Sequence, residues 1–80
     1  DVEAAAFLRE LPEGRVRVSL RSKGRLDVAT IAADLGGGGH DTAAGLTLEG
    51  PLPRAVETIL RSLRKAMTVF ANGAEDVPPS

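Results

Sequence analysis

Four consecutive glycines, Gly36 to Gly39, stand in the middle of an 80-residue chain and restrict its fold more than any other feature. Each glycine loses more backbone freedom on folding than any other residue, so a run of them implies a place where side chains would obstruct the backbone. A bare linker serves no purpose inside a single small core. The sharper reading is a loop whose backbone approaches a ligand and turns its N–H groups inward, a nest that binds phosphate without net cationic charge. The run ends at His40, the sole histidine of the chain. A lone histidine is more often a structural hydrogen bonder. Beside a glycine hinge it is placed to donate to a phosphate oxygen or to stack on a base.

The flanking sequence supplies the elements that would hold such a loop. Arg15 to Arg21 alternates, with Val16, Val18 and Leu20 on one face and Arg15, Arg17, Ser19 and Arg21 on the other. Pro12-Glu13-Gly14 is a turn signal, so Val2 to Glu10 is expected to be the other strand of a hairpin, although its alanines also suit a helix. A polar strand face of this kind is more often a solvated edge, but cations crowd the second strand's exit at Arg21, Lys23 and Arg25, beside Gly24, which strengthens the case for an anion site there. Leu26 to Leu35 reads as a short helix, capped by Asp27, stapled by Leu26 and Ile31, and ended by Gly36.

Leu46-Thr47-Leu48 reads as a short strand and Glu49-Gly50-Pro51 as a turn. A last helix begins near Leu52 with an apolar stripe of Val56, Ile59, Leu60, Leu63, Met67 and Phe70. From Asn72 to Ser80 no period remains, so residues 72–80 are expected to form a disordered tail to a domain of residues 1–71. The order strand, strand, helix, strand, helix predicts an α+β fold: a small sheet of about three strands with two helices packed on one face.

Composition narrows the function. A net charge of −1 and a 42% hydrophobic content exclude disorder over most of the chain and do not suggest a bulk electrostatic nucleic-acid binder. Phe7 and Phe70 are the only aromatics, too few for a base-stacking platform. Cysteine is absent, and no apolar run approaches the ~20 residues of a membrane span, so no membrane partner and a cytoplasmic location are expected. Asp27, Asp34 and Asp41 recur every seven residues, but the first reads as a cap and the second as a solvated helix residue. No nucleophile–base pair, phosphate-binding P-loop or cluster of metal ligands appears. By its chemistry this chain is a binding module.

Ser19-Leu20-Arg21-Ser22, a short helix, Gly36-Gly37-Gly38-Gly39-His40 and Ala43-Ala44-Gly45 together resemble the C-terminal DHH-associated (type 1) domain of the DHH phosphoesterase superfamily. The nearest subgroup is the nanoRNase and pAp phosphatase branch of bifunctional oligoribonucleases, and the resemblance runs from about Val2 to Leu63. It implies that Arg21 pairs with a substrate phosphate or base and that Gly37, Gly38, Gly39 and His40 wrap the nucleotide, with Ser19 and Ser22 as weaker candidates. It implies a longer parent chain, a hydrolase whose N-terminal DHH domain holds two divalent metals, usually manganese. This chain lacks that half, and is expected to bind no cofactor and to be inactive alone. The implied substrates are short oligoribonucleotides, 3′-phosphoadenosine 5′-phosphate or cyclic and linear dinucleotides. Parent enzymes of this kind are often homodimers. A second reading is a non-catalytic RNA-binding module like that appended to alanyl-tRNA synthetase. A third is a folding or dimerisation element whose glycines merely cross over.

Overall fold

The computed structural model describes residues 3–74, with side chains for residues 3–67. The chain folds as β1 (Ala4–Leu11), a tight turn at Pro12–Gly14, β2 (Arg15–Ser22), α1 (Val28–Asp34), β3 (Gly38–His40), β4 (Ala43–Glu49) and α2 (Leu52–Ala74). The strands form one antiparallel sheet in the order β1-β2-β4-β3. The α+β class holds, with one strand more than expected. The extra strand comes from the glycine run itself.

The core lies between the sheet and the helices. Val16, Val18 and Leu20 of β2 and Ala44 and Leu46 of β4 are buried against Val28, Ile31 and Ala32 of α1 and Ala55 and Ile59 of α2. Both helices therefore cover one face of the sheet, as strict alternation in β2 requires. The apolar stripe of α2 is rotated from the expected one. Ala55 is buried and Leu52 and Ala66 pack on the core, whereas Leu60 and Met67 are 44% and 49% exposed. Small alanines let α2 approach the sheet closely, a role that a count of large apolar residues overlooks. Phe70 lies beyond the described side chains. The helix also takes in Asn72, Gly73 and Ala74, which the sequence reading assigns to the tail; residues 75–80, like Val2 of the expected first strand, lie outside the described residues.

The connection from β2 to α1 is held by side chains at both ends. The Glu3 carboxylate accepts hydrogen bonds from the Arg25 and Leu26 backbone N–H groups at 2.9 and 3.0 Å. Asp27 caps α1, its Oδ1 accepting from Ala29 N at 2.9 Å and Thr30 N at 3.3 Å. At the far end of α1, Gly36 has φ +91°. Its N–H donates to Ala33 O, and the Gly37 N–H to Ala32 O at 2.7 Å. This is a complete Schellman motif.

Candidate functional site

Those two bonds correct the expectation of a phosphate nest over the whole glycine run. The Gly36 and Gly37 N–H groups are committed to helix carbonyls, and Gly38 to His40 form a strand paired with Ala43 to Gly45. The glycines serve close backbone approach instead. A Cβ on Gly37 would stand 2.6 Å from the Leu46 Cβ, and one on Gly39, whose φ is +147°, would stand 2.5 Å from the Ala44 Cα. Real carbon atoms do not come so near. Side chains at these positions would force β3 away from β4.

Residues directly opposite one another in an antiparallel sheet project to the same side. The face that carries no helix therefore has defined rows. One row crosses the sheet through Ala5, Arg21, Ala43 and His40; the next holds Phe7, Ser19, Gly45 and Gly38; the third holds Arg9, Arg17 and Thr47. Arg21 and His40, nineteen positions apart in sequence, are brought to two strands separated by one. Their backbones are roughly 10 Å apart at the usual strand spacing, a gap that two long side chains can close around one phosphate or nucleotide. Ala43 between them leaves the floor low. Both Arg21 and His40 are exposed, and neither makes a side-chain hydrogen bond or ion pair among the described residues.

Gly38 completes this arrangement. A Cβ there would meet nothing within 4 Å, so its outward side is free for a ligand to approach. Ser19 is half-buried beside it in the same row. Gly37 and Gly39 shape the strand from beneath. Ser22 stands apart from Arg21 on the other side of the sheet, and its hydroxyl donates to Leu26 O at 2.6 Å while accepting from Gly24 N at 3.1 Å. The structure thus brings Arg21, His40, Gly38 and Ser19 together and places Ser22 in the support of the adjoining loop. The Asp41 carbonyl accepts the Val28 N–H at 3.0 Å, which ties the β3–β4 turn to the start of α1.

Sequence reasoning overlooked what β1 brings. Its register adds Phe7 and Arg9 to the face, and Phe7 is 63% exposed. Alternation in β1 pointed to this, but the Ala-rich start obscured it. The site is an open surface. A groove of about 820 Å³, lined in part by Arg25, Ile31, Leu35 and Lys65, lies instead between α1 and α2, on the helix-bearing side. The described residues include no group of three or more His, Cys, Asp or Glu able to hold a metal ion.

Comparison with known proteins places this geometry in context. The profile of the DHHA1 domain matches residues 1–69. The chain is 48% identical over 65 residues to the bifunctional oligoribonuclease and PAP phosphatase NrnA of Thermus thermophilus, covering 80% of this chain and 20% of that protein. It is 31% identical over 65 residues to a membrane protein–large ribosomal subunit bL9 fusion protein of onion yellows phytoplasma, covering 81% of this chain and 8% of that one. A like-named protein of aster yellows witches'-broom phytoplasma matches to the same extent. The chain thus spans about a fifth or less of the length of these relatives. No described helix is long and apolar enough to cross a membrane.

Proposed function

The chain belongs to the DHHA1 domain family, and from that premise we propose that it is the nucleotide-gripping domain of a DHH-superfamily phosphoesterase. The observation that carries the reading is the shared row of Arg21 and His40 on the helix-free face, with Gly38 open beside it. A guanidinium supplies charge-assisted, bidentate hydrogen bonds to phosphate. The imidazole adds a donor from the other flank, and Gly38 lets the ligand lie against the backbone. The ligand is a short oligonucleotide, a dinucleotide or 3′-phosphoadenosine 5′-phosphate. The name of the Thermus thermophilus relative, an oligoribonuclease and PAP phosphatase, supports this ligand class.

The same proposal divides the labour between two domains. The two divalent metals that the resemblance implies do not fit this chain, because its described residues offer no ligand cluster. Metal-assisted hydrolysis belongs to an N-terminal domain of a longer parent. This domain's part is to bind and orient the phosphate, and an open face suits a domain that closes onto a partner carrying the reacting groups. Gly37 and Gly39 hold β3 in register, and Ser22 fixes the loop behind Arg21.

Isothermal titration with 3′-phosphoadenosine 5′-phosphate tests the assignment. Arg21→Ala is expected to weaken binding by about 1.5 to 3 kcal/mol, the loss of a charged hydrogen-bonding partner. Unchanged affinity in a folded variant would refute the role given to Arg21.

A further inference from the structure

The third row of the open face holds a pair that stability alone would not select: Arg9 of β1 stands directly opposite Arg17 of β2. Like charges in that position destabilise a sheet. Both residues are exposed, and no carboxylate pairs with either among the described residues. Arg15, by contrast, lies 3.8 Å from Glu13 at the hairpin end. With a net charge of −1 for the whole chain, the concentration of Arg9, Arg17 and Arg21 on one face is a local feature, not a bulk one.

Arg17 is also seated. A Cβ on Gly45 would lie 2.6 Å from its Nη2 and 3.2 Å from its Cζ, and its Nη1 donates to Thr47 Oγ1 at 3.4 Å. The guanidinium is therefore laid along the sheet over Gly45, instead of extending freely into solvent. Between this row and the Arg21–His40 row, β1 presents Phe7, 63% exposed. The face reads as cation, aromatic, cation. That is the alternation by which single-stranded nucleic acid is held, with phosphates on basic groups and a base stacked on a ring.

Resting on the proposed nucleotide role of the Arg21–His40 row, we infer that Arg9 and Arg17 form a second phosphate subsite, with the single exposed ring of Phe7 between the two, short of the multi-aromatic platform the composition excludes, stacking one base. Arg17 and Arg21 are separated by about 14 Å of extended strand. The two rows therefore take different phosphates of one ligand. That ligand is a single-stranded oligonucleotide of a few residues, lying across the sheet from β3 toward the hairpin.

The test compares two probes on the chain and its variants: 3′-phosphoadenosine 5′-phosphate, and a 5′-phosphorylated tetraadenylate, each titrated over a salt series. Wild type is expected to bind the tetranucleotide more tightly than the mononucleotide. Arg9→Gln combined with Arg17→Gln is expected to weaken the tetranucleotide about a hundredfold or more, as loss of two charged hydrogen-bonding groups predicts. The slope of log affinity against log salt should fall by roughly 0.7 per arginine removed. The mononucleotide should stay within about threefold, since distant charges act on it only through screened solvent. Phe7→Ala should weaken the tetranucleotide alone. Equal weakening of both probes, or an unaltered tetranucleotide affinity and slope, overturns the second subsite. If Arg21→Gln weakens both probes while the double variant changes neither, only this inference fails. If Arg21→Gln changes neither probe, the proposed function fails and the second subsite falls with it.

Discussion

A side-chain carbon on Gly39 would stand 2.5 Å from the Ala44 Cα, so the pairing of β3 with β4 depends on there being none. Gly39→Ala would have to adopt φ near +147° or push the strands apart. It is expected to cost about 2 to 4 kcal/mol, combining backbone strain with overpacking. Gly38→Ala, whose Cβ meets nothing within 4 Å, should change stability by less than about 1 kcal/mol. Chemical denaturation of the two variants separates these roles. Equal losses would contradict the contrast between a packed glycine and an open one.

Glu3 anchors a loop that leads directly from the site. Its carboxylate accepts the Arg25 and Leu26 N–H groups, and its carbonyl accepts the Lys23 N–H at 3.0 Å. Glu3→Ala removes the carboxylate and leaves two backbone donors to find water. A loss of about 1 to 2 kcal/mol is expected, with faster hydrogen exchange at Arg25 and Leu26. Exchange at wild-type rates would show that the loop does not depend on Glu3.

The Arg9–Arg17 pair predicts that binding and stability are opposed at this face. Arg9→Glu places a carboxylate opposite Arg17 in place of a like charge. The variant should be more stable by about 0.2 to 1 kcal/mol in a urea titration. It should also bind the tetraadenylate more weakly than Arg9→Gln does. A less stable variant would mean that the arginines do not strain the sheet.

Much of the fold was legible because its signals are local. Asp27 caps α1 as its position before Val28 suggests, and the alternation of Val16, Val18 and Leu20 against Arg17, Ser19 and Arg21 set the two faces of β2. What remained hidden depends on pairing between distant segments. Gly38 to His40 has no β-forming composition, and becomes a strand only because Ala43 to Gly45 lies alongside it. The position of Ser22 was likewise out of reach. Adjacent to Arg21 in sequence, it faces the other way, since successive strand residues alternate sides. The kinship of Arg21 with His40 was suggested by the motifs, whereas their common row, and the addition of Phe7 and Arg9 to neighbouring rows of the same face, required the register of three strand pairs.

The most direct test of the central claim is an amide and side-chain NMR titration of the 80-residue chain with 3′-phosphoadenosine 5′-phosphate at millimolar concentrations. The account predicts shifts that cluster on one row and its neighbour, at Arg21, Ala43, His40, Gly38 and Ser19, while the α1–α2 groove around Ile31 and Leu35 stays silent. Shifts confined to that groove, or a spectrum unchanged at these five residues, would contradict a nucleotide site on the open face of the sheet.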